Sequence, residues 1–372
     1  MFRKLHIVSF DVPLPANYGG VIDVFYKIKA LHALGADITL HCFHYGRDRA
    51  PELEQYCSSV NYYSRRTSVW QLCSSEPFIV HSRRSDELLQ ALAADDAPVL
   101  FEGLHCCAYV SHPSLKNKKK IVRTHNIEHD YYNSLAAVER KWSKRQYFKR
   151  EAAKLRKFEA VLNDAQHILA ISPADAKQLS ERYRNVEHVM AFHPHEEVSI
   201  REGKGSFALY HGNLEVGEND QAALFLVNEV FNGIDFPLVI AGNRPSPELQ
   251  EAVKGKTNIS LKPNISTAEI DELIADAHVN VLPTFQATGI KLKLLAALMR
   301  GRHCVVNSPM VDQTGLEPLC SIHDTALSMR NGLLSLRDTP FTATDIEKRK
   351  SLLGERFSNL RNAEKILQIV RG

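Results

Sequence analysis

The 372-residue sequence predicts an α/β protein of two parallel-sheet domains, each sheet covered by helices on both faces. Three observations predict it. Short apolar runs alternate with helical patterns from the first residues onward. The alternation is interrupted by the polar stretch "HPHEEVSIREGKGS", residues 193 to 206, and then it restarts.

In the first half, "KLHIVSF" reads as a strand, "DVPLPANYGG" as a Pro/Gly loop and "VIDVFYKIKALHAL" as a helix. Val21, Val24, Phe25, Ile28, Leu31 and Leu34 recur there at helical spacing, and Gly35 supplies the stop. "ADITLHCF", "APVLFEG" and "KKIVRTH" follow as strands. "QHILAISPADAKQL" gives a further strand and a helix capped by Ser172, with Asp175 at N3. In the second half the strands are "SFALYHGN", "FPLVIAGN", "NISLKPNI", "VNVLP" and "HCVVNS". "ENDQAALFLVNEVF", "TAEIDELIADA" and "GIKLKLLAALMRG" are the helices between them. Open parallel sheets bind ligands beyond the carboxyl ends of their strands, so two such domains facing each other form a cleft. The expected division is residues 1–195, residues 196–350 and a closing segment 351–372.

A hydrophobic content of 44% and a charged content of 24% are those of an ordinary globular protein. The net charge of +3 is too small to predict nucleic-acid binding. Seven cysteines, with Cys106 and Cys107 adjacent and no C-x-x-C pair, argue against a disulfide framework or a structural zinc site. They favour a reducing compartment. With no signal-peptide pattern and no apolar run of bilayer length, the expected location is cytoplasmic.

The stretch "RTHNIEHDYY" carries His125 and His129 four apart with Glu128 beside the second, the H-x-x-E-H spacing of a zinc peptidase. That chemistry needs both histidines on one helix face. "KKIVRT" reads as a buried strand, which puts His125 at a strand end, facing a substrate or merely packing.

The stretch "PTFQATGIKLKLLAALMRGRHCVVNSPMVDQTGL" places a loop with Gly289 after a strand and Lys291 in the first turn of a helix. Free N–H groups and the helix dipole make such a start a seat for phosphate. A first-turn lysine opposes the usual acidic preference there, which makes sense if an anion sits against both. The alternative is a solvated lysine on an amphipathic helix.

This stretch resembles the donor-site signature of family 4 glycosyltransferases of the GT-B fold, G-x-G-x-K-x-x-x-L-E-A with a later G-L. Gly289, Ile290, Lys291 and "LLAAL" fit it, and Gly315-Leu316 fits the later loop. "PLPANYGG" resembles the first glycine-rich loop, "RTHN" the acceptor-side strand and histidine, "ALYHGNLEVGEND" the strand opening the second domain, and "LVIAGN" the strand before the nucleotide loop. "RFSNLRNAEKIL" resembles the last helices, which in this fold cross back to the first domain. The resemblance implies two Rossmann-like domains and retaining, metal-independent transfer from a nucleotide-diphosphate sugar of UDP or GDP type. The acceptor would be a glycan or lipid-linked, in surface polysaccharide or glycoconjugate synthesis. It implies that Lys291, Arg244, the helix start near Gly289 and the backbone of Gly19 and Gly20 face the diphosphate, with Gly212, Ile290, Gly315, Leu316 and Glu317 also binding the donor nucleotide. His125 would contact the transferred sugar, and Glu102 and His105 the acceptor hydroxyls.

Two departures stand out. Gln286 occupies the place of one expected glutamate and Ala296 that of the ribose-binding one. Either Glu317 or Asp312 holds the ribose, or nucleotide binding is altered, which leaves an inactive binding module as the alternative. Finally, "KNKKK" (116–120) and "ERKWSKRQYFKREAAKLRKFE" concentrate basic charge, with Trp142, Tyr147 and Phe148 interleaved. Such a helix suits an anionic membrane surface. No nucleic-acid module accompanies it, and a solvated helix with inward aromatics is the other reading.

Overall fold

The computed structural model describes residues 4–139, 141–285 and 292–372. It divides into two compact units, one of Met1–Pro194 with Asn359–Gly372 and one of His195–Ser358.

The first unit holds a seven-stranded sheet: β1 (Lys4–Ser9), β2 (Asp37–His44), β3 (Ser59–Ser64), β4 (Val99–Glu102), β5 (Lys120–Thr124), β6 (His167–Ala170) and β7 (Val186–His188). Their order is β3-β2-β1-β4-β5-β6-β7, with every pairing parallel. Every residue of β4 and β5 is buried, as expected of central strands covered on both faces. The order reverses between β1 and β4, so this is the switch point where open sheets bind ligands.

The first helix, Gly19–Ala33, ends as its sequence indicates, with Gly35 at φ +81°, a conformation open to glycine. Ser172 caps the Pro173–Ser180 helix by accepting from the Asp175 amide at 3.1 Å. The closing helix, Asn359–Arg371, belongs to this unit. Its Ala363, Ile366, Leu367, Ile369 and Val370 share one apolar cluster with Leu5, Ile7, Val24 and Ile28. Asn359 anchors its start, accepting from the His193 amide at 3.2 Å and donating to the His193 carbonyl at 2.7 Å.

The second unit holds β8 (Ala208–His211), β9 (Leu238–Gly242), β10 (Ile259–Pro263), β11 (Val279–Val281), β12 (His303–Val306) and β13 (Ser321–Ile322), in the order β10-β9-β8-β11-β12-β13, all parallel. The polar stretch 193–206 is tied down rather than loose. Ser199 N–H donates to the Met299 carbonyl at 2.9 Å, and Gly203 pairs with Phe341 in an isolated bridge.

Strands β3, β7 and β13 were not evident from sequence. All three lie at or near the sheet edges, where half-exposed strands carry no continuous apolar run.

Candidate functional site

In the first unit, β4, β5 and the first helix bring five ionisable side chains together. Asp23 and Lys27 lie one turn apart on the helix, and Lys27 Nζ is 2.8 Å from Asp23 and 2.9 Å from the Glu102 carboxylate. Arg123, on β5, donates through Nε and Nη2 to the two oxygens of Asp23, both at 2.8 Å. Its remaining donors reach the carbonyls of Val189 at 3.0 Å and Met190 at 2.8 Å. The Phe192 amide also donates to Asp23. None of these four side chains has exposed surface.

His125, just past β5, is the member of the group with access to solvent, its side chain 10% exposed. Its Nε2 lies 3.0 Å from Glu102, and the Phe10 ring meets it edge-on with centroids 5.4 Å apart. Burial alone raises the carboxyl groups of Asp23 and Glu102. Arg123 and Lys27 outweigh burial at Asp23, as do Lys27 and His125 at Glu102, so both lie below the ordinary range.

The expected acceptor contact of Glu102 is therefore not what its placement offers. Its carboxylate is enclosed and spent on Lys27 and His125, so it orients the histidine. Asp23, Lys27 and Arg123 went unremarked in the sequence, because each reads locally as a charge on an amphipathic helix or a strand end.

Among the described residues, Asp23, Glu102 and His125 form a group whose ligand atoms lie within 4.8 Å of one another. The donor set does not fit a divalent cation. Two buried cations, Lys27 and Arg123, already neutralise the two carboxylates, and a metal would sit against both. The zinc-peptidase spacing fails as well. His125 lies in the loop after β5, while His129 lies in the first turn of the Glu128–Val138 helix and bonds Glu159 at 2.9 Å.

His105 follows Gly103, whose φ of +72° turns the chain after β4. The His105 ring lies 5.5 Å from Phe10 by centroids, on the ring that also meets His125. Gly20 closes the same neighbourhood, since a Cβ there would meet the Phe10 ring at 2.7 Å. Among the described residues nothing lies within 4 Å of such an atom at Gly19.

In the second unit, Gln286, Gly289, Ile290 and Lys291 lie outside the described residues. Among the described residues, Lys293, in the helix Leu292–Arg300, reaches the strand ends. Its Nζ is 2.8 Å from Asn219 Oδ1, 3.5 Å from the Tyr210 hydroxyl and 5.2 Å above the Tyr210 ring. Tyr210 and His211 end β8, and Gly212 follows. His211 is pushed down to about 3 by burial, Lys293 and His195, so it is neutral near pH 7. A Cβ at Gly242, the end of β9, would collide with the Gly212 carbonyl.

Arg244 has φ +50° and pairs with Glu215 at 2.8 Å, both side chains more than half exposed. At the neighbouring strand ends, Asn307 braces Thr284, accepting from its amide at 2.9 Å and donating to its carbonyl at 2.7 Å. Gly315 sits at φ +71°, Leu316 is buried with its amide donating to Thr314, and Glu317 starts a short 3-10 turn. Ala296 packs against an apolar cluster that includes Leu209 and Ala241. The signal for Lys293 was present in "KLK", two residues past Lys291.

Two parallel-sheet domains of this kind, with the polar groups at their strand ends, define the GT-B fold. Residues 206–318 match the family described as glycosyl transferases group 1, and the fold is that of GT-B glycosyltransferase structures. An uncharacterized 44.6 kDa protein in the cps region of Klebsiella pneumoniae is 26% identical over 332 residues, 84% of each chain. HepE of Anabaena, solved in complex with UDP, is similar over the whole of both chains with a TM-score of 0.69 at 12% identity. WaaG, a glycosyltransferase involved in lipopolysaccharide biosynthesis, is similar over 99% of this chain and all of its own, with a TM-score of 0.65 at 11% identity.

Proposed function

We propose that this protein is a glycosyltransferase that moves a sugar from a nucleotide-diphosphate donor of UDP or GDP type to a glycan or lipid-linked acceptor. The reading includes retention at the anomeric carbon, no metal, and a place in surface polysaccharide or glycoconjugate synthesis.

The observation that carries it is Lys293, its ammonium held by Asn219 and Tyr210 at the carboxyl end of β8. Departure of a nucleoside diphosphate concentrates negative charge on the leaving oxygen as the sugar becomes cationic. A fixed positive charge at that point stabilises the transition state more than the ground state. Lys293 takes the diphosphate role expected of Arg244, whose guanidinium is paired with Glu215. His125, oriented by Glu102, is the group assigned to the transferred sugar. HepE, solved with UDP and glucose, and the cps-region relative from Klebsiella support the donor class and the biosynthetic setting.

The acceptor side fits attachment to an anionic membrane surface. Trp142, 72% exposed, opens the basic helix Trp142–Phe158, where Lys149 and Arg150 also face outward. Tyr147 and Phe148 pack inward toward Tyr132. Exposed Trp70 and Leu72 lie alongside, since Lys154 Nζ donates to the Leu72 carbonyl at 3.2 Å. Among the described residues no helix is long and apolar enough to cross a membrane.

Calorimetric titration with UDP and GDP tests the reading: one of them binds the wild type, and Lys293→Ala weakens it. Absence of binding by either rejects it. The apolar seat of Ala296 favours a second reading, a sugar-nucleotide-binding protein without turnover. Binding with no donor consumption selects that one.

A further inference from the structure

Two cysteines of the second unit meet where β12 and β13 run side by side. Val305 pairs with Ser321 and Val306 with Ile322, and the same register one residue earlier sets Cys304 beside Cys320. Neighbouring strands lie about 4.8 Å apart, inside the roughly 4.4–6.8 Å separation of α-carbons that a disulfide spans. Both residues carry free thiols. The Cys320 thiol hydrogen-bonds with that of Cys304, and this contact together with burial pushes it well up.

The pair lines a cavity of about 170 Å³, together with His303, Asp345, Lys348 and Arg349. Cys304 is 3% exposed, whereas Cys320 keeps partial exposure. Beside them the buried Arg349 donates to the carbonyls of Leu298 at 2.7 Å, Arg302 at 2.9 Å and Leu319 at 3.4 Å. Cys304, Cys320 and Asp345 are the acidic groups around its guanidinium, with Cys304 foremost. A cation next to a thiol favours the thiolate, which is the reactive form.

We propose that Cys304 and Cys320 are a reversible dithiol–disulfide pair, oxidised by hydrogen peroxide reaching them through this cavity, and that closing the disulfide weakens donor-nucleotide binding. The Cys304 sulfur, beside Arg349, attacks one peroxide oxygen as a thiolate. The O–O bond breaks, and the departing hydroxide takes up the proton that Cys304 released and leaves as water. Cys304 is then a sulfenic acid. The Cys320 sulfur attacks it, the S–S bond forms, and the sulfenic hydroxyl leaves with the Cys320 proton as a second water. Two thiols are oxidised to one disulfide while one peroxide is reduced to two waters.

The link to the nucleotide runs through the backbone. The Cys320 amide donates to the Glu317 carbonyl at 3.2 Å and the Leu319 amide to the Leu316 carbonyl at 2.9 Å. A covalent bond that draws Cys320 onto β12 therefore pulls on the turn holding Leu316 and Glu317. This consequence rests on the reading that Gly315, Leu316 and Glu317 serve the donor, whereas formation of the disulfide does not.

The test treats the full-length protein with hydrogen peroxide and then alkylates its free thiols. Mass spectrometry follows the tryptic peptide 303–330, which contains both cysteines, and calorimetry follows UDP and GDP. Peroxide leaves that peptide unalkylated and two hydrogens lighter, the affinity for the nucleotide falls about tenfold, and dithiothreitol restores both. Cys320→Ser binds nucleotide like the reduced wild type and no longer responds to peroxide. Cys304→Ala does the same, with Cys320→Ser as the milder change should the core be disturbed. Two alkylated thiols in peptide 303–330 after peroxide overturn the proposal. So does a disulfide with unchanged affinity, or an equal loss of affinity in Cys320→Ser. If the reduced wild type binds neither nucleotide, the donor reading fails, and the peptide mass still decides for or against the disulfide.

Discussion

Arg123 and Asp23 meet as a bidentate pair, with Nε and Nη2 each 2.8 Å from one carboxylate oxygen and neither side chain exposed. Lys27 extends the pair to Glu102, and Glu102 extends it to His125. Four compensating charges thus stand behind one accessible imidazole. Their burial is costly, and each is tolerable only because the others are present.

Removing one member exposes that cost. Asp23→Ala leaves Arg123 and Lys27 short of their carboxylate and lowers stability by about 3–5 kcal/mol, read as a lower urea midpoint. Acid acts on the same group. The folded carboxyl of Asp23 lies below its unfolded value, so its contribution is present above about pH 4 and fades as pH falls below that. The wild type loses stability more steeply in that acid range than Asp23→Ala does. Parallel curves would count against the pair.

Glu128 gives the opposite sign. Its folded carboxyl titrates at about 8, above the ordinary value, so the folded protein holds a proton that the unfolded chain releases. Wild-type stability therefore declines between the ordinary carboxylate range and about pH 8. Glu128→Gln lacks this decline, and thermal melts at several pH values show the gap widening in its favour as pH rises. A gap independent of pH contradicts the buried neutral acid.

For turnover, His125→Ala removes the accessible end of the network and lowers kcat by about 100-fold, the lower end for a positioned proton-transfer or polar group. Its UDP affinity changes little, because the diphosphate seat proposed around Lys293 belongs to the other unit. Equal losses in kcat and UDP affinity would argue that His125 serves only nucleotide binding.

Lys293 and Arg244 provide a matched contrast. A charge-assisted hydrogen bond to diphosphate contributes about 1.5–3 kcal/mol, so Lys293→Ala weakens UDP roughly 10- to 100-fold. Arg244 sits in an exposed ion pair with Glu215, and Arg244→Ala changes UDP affinity little. The reverse ranking by calorimetry would move the diphosphate seat to Arg244.

At the surface, Lys149→Glu with Arg150→Glu weakens sedimentation with anionic vesicles, since each basic residue near such a surface contributes about 1 kcal/mol. Trp142→Ala weakens it further, and added salt reduces the wild-type signal. Equal partitioning onto neutral and anionic vesicles would remove the electrostatic component.

The sequence by itself determined the alternation of strand and helix, the two parallel sheets, the Gly35 stop, the Ser172 cap and the strand-end position of His125. These depend on local periodicity and backbone chemistry, which a few neighbouring residues set. Tertiary structure decided the site. Asp23 and Arg123 are 100 positions apart, and Lys27 and Glu102 are 75 apart, so no local pattern distinguishes them from surface charges. The contact of Lys293 with Tyr210 and Asn219 depends on which face of its helix meets the end of β8. In the sequence Glu128 is only the acid beside His129, and burial pushes its carboxyl up to about 8. Solvation and charge pairing depend on the whole surroundings of a group, and the folded chain assembles those surroundings from distant segments.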